Sequence, residues 1–393
     1  MIFIIVTGII GWRESCVIFV LLQLSRMNVK YRFILVGIWL FCGCVSSKNQ
    51  SATQSDTLMA KDLLPYGRSL ITNDKLELIS SAVHFGFSFE GDRVDMYASP
   101  PAWMDHNYLQ YELDGVYQKR VKISKGQNAP IHLTANKKGR HTVWIYKATE
   151  ATTGPMFIEK ITGRNLRAIP TANAPLIEFI GNSITCGADA DTSLLPCGVG
   201  QYHDYTNAYY AYGPRVARNL GANYILSSVS GIGIYRTWNR EEPSMPAVFD
   251  KADFQEKSTR KWDFSRYTPK IVSIALGTND MSNGDGAPRA PFDSARFVNG
   301  YIDFVRSVKS KYPLAQIVLL NSPMVADKGN ILLQNCLATV KNRIDQLHPS
   351  DKPVALFFFK PMKTRGCSGH PSLEDHAILA DELFPFFKNL IDQ

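Results

Sequence analysis

The chain has no basic run, no internal repeat and no metal-ligand spacing. Its formal net charge is +8, but residues 1–43 hold Arg13, Arg26, Lys30 and Arg32 against one acid, Glu14, and without them the excess is +5. Charge so thinly spread lacks the clustered lysine and arginine that neutralise a phosphate backbone, so nucleic acid is excluded as a partner. His203-Asp204 is the one pair that suggests a metal, and no second ligand pair stands at a suitable distance, so neither metal nor cofactor is expected. The apolar run FILVGIWLFCG at 33–43 is shorter than a bilayer-spanning helix. With 45% apolar and 20% charged residues, the rest has the ordinary make-up of globular protein with sizeable cores.

What the N-terminus does have is a targeting pattern. MNVKYR at 27–32 supplies positive charge, the apolar run follows, and Cys44 comes next after Gly43, ahead of the polar stretch VSSKNQSATQSDT. That order resembles a bacterial lipoprotein site, in which the Cys44 thiol is acylated and the protein is exported and tethered at the cell surface or in the periplasm. An uncleaved anchor is the alternative, and residues 1–26 read as an extension ahead of the true start. Residues 45–62 read as a flexible linker. Processing would remove Cys16 and Cys42 and leave an even four, Cys186, Cys197, Cys336 and Cys367, able to pair outside the cytosol. Cys186 with Cys197 and Cys336 with Cys367 is one arrangement; four buried thiols is another.

Two patterns divide the remainder. Over 63–170, HFGFSFEG, DRVDMYAS, YLQYELDGV, KRVKIS, PIHLTA and HTVWIYKAT alternate or carry β-branched and aromatic residues between turn signals, which predicts an all-β sandwich. Over 171–393, PLIEFIG, NYILSSVSG, PKIVSIALG, AQIVLLNSP and PVALFFF are apolar runs of buried-strand length with helical segments between several of them. Alternation of that kind predicts an α/β/α domain around a parallel sheet. Ser372 with Asp375 three residues on predicts a capping box opening the last helix.

In such a sheet the loops after the strands converge on one rim, where sites form. Gly181-Asn182-Ser183 follows the first strand, Ser230-Gly231 the second, and Gly277-Thr278-Asn279-Asp280 the third. The last strand leads into Gly366-Cys367-Ser368-Gly369-His370. A hydroxyl, glycine turns, an amide and an imidazole on one rim suit acyl transfer. His370 would take the Ser183 proton. The Ser183 and Gly231 N–H groups and the Asn279 side chain would hold the oxyanion.

These four segments resemble the four blocks of the SGNH/GDSL hydrolases. IEFIGNSITCG, SGIGIYR, WDFSRYTPKIVSIALGTND and GHPS, behind the WIYKATEATTG segment, look more narrowly like carbohydrate esterase family 2. The resemblance implies a jelly-roll N-terminal domain, a flavodoxin-like hydrolase domain, and removal of O-acetyl groups from xylan and related plant polysaccharides. It carries the nucleophile to Ser183, the oxyanion donors to Gly231 and Asn279, and the base to His370. Two positions depart from the pattern. Asn182 stands where an aspartate is usual, and Ser368 and Cys367 stand where the family places the acid that supports the histidine. That second departure implies a Ser–His dyad whose imidazole is held by a backbone carbonyl, since Glu374 and Asp375 fall on the first turn of the last helix.

Other readings stay open at this point. Esters of other kinds (peptidoglycan or sialate O-acetyl groups, short-chain lipids) would suit the same machinery, and a glycan-binding protein with a vestigial site is the reading from a different class. Tyr235, Arg236 and Trp238 are candidate substrate contacts, and Tyr202, Tyr205 and Tyr209 either join them as a stacking surface or pack loops. His376 is expected to be structural.

Overall fold

The computed structural model describes residues 55–393; the targeting segment and Cys44 lie outside the described residues. The first half is an antiparallel sheet of eight strands. They are β1 (Ser55–Met59), β2 (Ser69–Thr72), β3 (Lys75–Leu78), β4 (His84–Ser99), β5 (His106–Leu113), β6 (Val116–Ser124), β7 (Ile131–Lys147) and β8 (Met156–Ile169). The order is β2-β3-β8-β4-β7-β5-β6, with β1 beside β8. Phe85, Phe87 and Phe89 alternate along β4 and all enter the core of this half, as period-two side chains must. The long strands change register near Gly91, whose φ of 121° no side-chain-bearing residue readily adopts, and such an irregularity bends a ladder.

The linker expected over 45–62 is shorter than its composition suggested. Residues 55–59 already pair with β8, and a 3-10 turn follows at Ala60–Asp62. Leu58, Ala60 and Leu63 are buried in the same core, so three apolar side chains among polar neighbours decide the matter.

The second half is a parallel five-stranded sheet of β9 (Leu176–Gly181), β10 (Asn223–Ser228), β11 (Ile271–Ala275), β12 (Gln316–Leu320) and β13 (Ala355–Phe357). All neighbours run parallel, in the order β10-β9-β11-β12-β13. Renumbered within the half this is 2-1-3-4-5, the flavodoxin-like order, whose reversal next to the first strand opens a crevice at the carboxyl ends. The helices are α1 (Ser183–Cys186), α2 (Tyr212–Asn219), α3 (Met245–Val248), α4 (Ser294–Lys311), α5 (Asp327–Leu347) and α6 (Leu373–Asp392). Phe297, Tyr301, Val305, Leu333, Leu337 and Val340 of α4 and α5 build a core on one face, and Tyr212, Val216, Leu379, Leu383 and Phe387 of α2 and α6 build one on the other. Ser372 caps α6, accepting from the Asp375 N–H while Asp375 accepts from the Ser372 N–H. No helix among the described residues is long and apolar enough to cross a membrane.

The two halves form one compact unit, fastened by buried polar groups. Arg68 is fully buried and donates to the Phe249 and Lys251 carbonyls at 2.8 and 2.7 Å, with its guanidinium 4.1 Å from the centre of the Phe254 ring. Arg120 of β6 donates to the carbonyls of Asp204 and Thr206 and pairs with Asp191. His106 and Tyr108 of β5 both reach one Asp204 oxygen at 2.6 Å. Buried carboxylates and guanidinium groups persist only when paired, and here each partner lies across the junction.

Candidate active site

The nucleophile turn is built by small residues. Strand β9 ends at Gly181, where a Cβ would overlap the Thr185 side chain. Asn182 caps α1 by accepting from the Ile184 N–H at 3.2 Å, so an amide does the work of the usual aspartate. Ser183 comes first in α1, 7% exposed. His370 follows a 3-10 turn at Cys367–Gly369 and places Nε2 2.9 Å from Ser183 Oγ, across 187 positions of chain. In that pose Nε2 can accept the serine proton.

A cavity of about 540 Å³ opens over this pair. Gly231 lines it with φ at 76°, and a Cβ there would stand 2.7 Å from the Trp238 ring, so glycine meets both a backbone and a space requirement. Asn279 lines it too, with Nδ2 donating one hydrogen to the Ile232 carbonyl at 2.8 Å, which leaves the second for an oxyanion. Asp280 braces the same turn from below by accepting from the Ile234 and Tyr235 N–H groups at 3.0 Å. Burial pushes the Asp280 carboxyl up to about 6 despite those bonds.

Two expected substrate contacts are not at the cavity. Tyr235 is buried, its hydroxyl accepts from the Asp293 N–H at 3.1 Å, and its ring lies under Arg296. Arg236 is also buried and donates to the Asp280 and Ala290 carbonyls. Both brace the loop after β10; their polar ends are consumed internally. Trp238 does line the cavity and is 41% exposed. Of the tyrosines, Tyr202 lines it and donates to Ser230 Oγ at 2.9 Å. Tyr205 bonds loop carbonyls and Tyr209 bonds Glu112, so those two pack.

The cysteines pair differently from the arrangement suggested by spacing. Cys197 is bonded to Cys367, while Cys186 and Cys336 are free and buried. Cys186 lies under the nucleophile turn beside Ser228 and Glu150, and Cys336 is buried in the α4–α5 core. The bridge that does form ties the histidine loop to the loop after α1.

Two residues at the site were not among the candidates the sequence supplied, although Glu150 lies within the WIYKATEATTG segment. Glu150, from the turn after β7, lines the cavity, is 1% exposed and accepts from the Ser230 N–H at 2.6 Å. The first domain therefore holds the turn that presents Gly231. Asp189 lies three residues past α1, with Oδ2 3.4 Å from His370 Nδ1. Burial raises its carboxyl above the usual carboxylate range, opposed by His370 and Ser368. Glu374 and Asp375 are engaged elsewhere, with Ser372 and with Arg365. His376 is fully buried, accepts from the Tyr212 N–H, and is pushed down to about 3 by burial. His203 and Asp204 form with His106 a buried group of possible metal-ligand atoms within 4.8 Å of one another. The Asp204 oxygens are already taken by His106, Tyr108 and the Gln201 N–H.

Residues 179–352 match the GDSL-like lipase/acylhydrolase family, and residues 66–170 match the carbohydrate esterase 2 N-terminal domain. The chain is 30% identical over 296 residues to cellulase/esterase CelE of Acetivibrio thermocellus, covering 72% of this chain but 34% of that protein. The chain thus spans about a third of that relative's length. It is 24% identical over 366 residues to an acetylxylan esterase / glucomannan deacetylase of Cellvibrio japonicus, covering 91% of this chain and 98% of the relative. A solved family two carbohydrate esterase from Cellvibrio japonicus superposes with a TM-score of 0.74 at 23% identity, over 86% of this chain and 98% of that one.

Proposed function

We infer that this chain, a carbohydrate esterase 2 N-terminal domain joined to a GDSL-like lipase/acylhydrolase domain, is a serine esterase that removes O-acetyl groups from hemicellulose such as acetylated xylan. The observation that carries the chemistry is the 2.9 Å contact between His370 Nε2 and Ser183 Oγ beneath an open cavity. Ser183 Oγ adds to the acetyl carbonyl as His370 takes its proton. The oxyanion meets the Ser183 and Gly231 N–H groups and the Asn279 side chain, donors fixed before the charge develops. Collapse returns the proton from His370 to the sugar oxygen, which leaves. Water, deprotonated by the same imidazole, then adds to the acetyl carbonyl, and the bond to Ser183 Oγ breaks as His370 returns the proton to that oxygen and acetate leaves. An assembled pair of this kind argues against a vestigial glycan-binding site.

The substrate class is supported by the relatives' printed activities and by a cavity rimmed by Trp238 and Tyr202 rather than a closed apolar channel. Acetate release from acetylated xylan and glucomannan tests it. Hydrolysis of a small acetyl ester with no release from either polysaccharide would retain the mechanism and discard the substrate.

Three finer points belong to the same reading. The antiparallel half is read as a jelly-roll, supported by its long strands and register shifts. Tethering to a membrane through a lipidated Cys44 is supported by the order of charge, apolar run and Gly43-Cys44. Export to the cell surface or periplasm rests on that segment and on the Cys197–Cys367 bridge, since disulfides persist outside the reducing cytosol. Fatty-acid labelling that survives Cys44→Ala would remove the lipid anchor from the account.

A further inference from the structure

We propose that Asp189 is the acid partner of His370, so that the site works as a Ser–His–Asp triad whose carboxylate comes from the nucleophile's own loop and not from the residues before the histidine. This rests on the serine-esterase reading.

The argument begins with the imidazole. Nε2 faces Ser183 at 2.9 Å, so the other nitrogen, Nδ1, must carry a hydrogen for the base to act, and that hydrogen needs an acceptor. Asp189 Oδ2 stands 3.4 Å away, and neither atom hydrogen-bonds to anything else among the described residues. Two buried polar atoms of complementary kind face each other with no other bond, while the Ser368 side chain sits against the same Asp189 carboxyl and favours its charged form. A separation just beyond a well-formed hydrogen bond is common before substrate enters, and it tightens when the ring becomes charged. During attack the proton passes from Ser183 Oγ to Nε2. Asp189 remains a carboxylate throughout and takes no proton.

The backbone around Asp189 tells the same story. Its φ is 53°, in the left-handed region that glycine occupies freely and aspartate less readily. The loop is nonetheless held there by three ties to the histidine segment. The Asp189 carbonyl accepts from the Cys367 N–H at 2.8 Å, the Ala190 carbonyl accepts from the Leu373 N–H at 3.2 Å, and the Cys197–Cys367 bridge closes over both. Other nearby carboxylates are committed: Glu150 to Ser230, Asp191 to Arg120 and Asn207, Asp375 to Arg365.

The test compares wild type with Asp189→Asn and Asp189→Gly on a small acetyl ester, with Ser183→Ala as the blank. Both replacements tolerate positive φ, so both should fold, and glycine should leave the melting temperature unchanged or raised. The expected result is a fall in kcat of about 100- to 10,000-fold in each, as when the triad aspartate of a serine protease is amidated, with KM little changed. The acid limb of the kcat/KM profile should also move to lower pH in Asp189→Asn, because a carboxylate no longer favours the charged ring. Around the pair lie His376 from α6, Tyr202 and Glu150 across the cavity and Cys186 beneath; all are shared by wild type and variant, so the difference reports Asp189. An NMR titration of His370 without substrate gives the same comparison without turnover. If wild type hydrolysed no ester but the titration moved, the esterase reading would fail and the pairing would stand. Retention of kcat within about threefold, or an unmoved titration, would overturn the proposal in favour of a backbone-held dyad.

Discussion

The two sheets reach the cavity on unequal terms. The parallel sheet delivers every group that would touch the reacting atoms: Ser183 after β9, Gly231 after β10, Asn279 after β11 and His370 after β13. The antiparallel sheet delivers no such group. It supplies Glu150, which fixes the Ser230–Gly231 turn, and a set of buried arginines that lock the halves together. Chemistry comes from one sheet and placement from the other, so damage to the second should register as misplacement or unfolding rather than as loss of a reacting group.

The sharpest way to break that comparison is Arg68→Ala. If the first half were a detachable appendage, the hydrolase half would survive. We expect instead a loss of about 3–5 kcal/mol, as for one partner removed from a buried charge pair, because Glu178 and the Phe249 and Lys251 carbonyls are left facing the gap. Urea unfolding monitored by tryptophan fluorescence reads it. Glu150→Ala comes next. It leaves every reacting group in place, yet kcat should fall about ten- to a hundredfold, less than for deletion of an oxyanion donor itself, with a melting temperature near wild type. An unchanged kcat would reduce the first domain to a scaffold.

A third prediction concerns pH and touches both halves. Burial pushes His84, at the base of β4 against Tyr224, down to about 4, and His376 on α6 to about 3. Both are depressed below the ordinary histidine range, so the unfolded chain binds these protons first. The stability they contribute is full above pH 6.5 and drains as pH falls toward 4 and 3. Each should cost about 2 kcal/mol between pH 6.5 and 5. Asp280, raised to about 6, offsets part of this, because its native carboxyl takes up a proton before the unfolded one does. Urea midpoints at the two pH values check the slope, and His376→Gln should flatten it. The smallest expected effect is that of Tyr235→Phe. It should cost about 1 kcal/mol for the bond to Asp293 and leave KM unchanged, whereas a raised KM would return Tyr235 to the substrate site.

Legibility in the sequence follows the same division. Strands β9–β13 are short apolar runs; β9, β10 and β11 end in glycine-containing turns, and the residues just after those three, with His370 from the longer loop after β13, are the ones assembled at the rim. Helices α2, α4, α5 and α6 and the Ser372 cap are readable from periodicity and spacing, whereas the single turns α1 and α3 are not. Tyr235 and Arg236 were misread because adjacency to Gly231 along the chain says nothing about which way a bracing loop turns its side chains. Asp189 is not legible beside His370, because it stands in the loop after the nucleophile, remote along the chain from the residues before the histidine. Only the tie of Asp189 and Ala190 to the histidine segment, closed by a disulfide spanning 170 positions, brings the carboxylate to the ring. Glu150 lies within the WIYKATEATTG segment, but its contact with Ser230 crosses two domains and shows in no spacing. In the linker, Leu58 and Ala60 are outweighed by polar neighbours in composition, although burial of a few side chains is enough to order a strand.

The central claim is that Ser183 and His370 act together as nucleophile and base, and acetate release from acetylated xylan by wild type, Ser183→Ala and His370→Ala tests it most directly. Removing either member of a unit that acts jointly should cost nearly as much as removing both, a fall of about 10,000-fold or more in kcat, with both variants folded. Release by either variant within about tenfold of wild type would contradict the account, because the 2.9 Å contact between them would then be a packing feature and not the reacting pair.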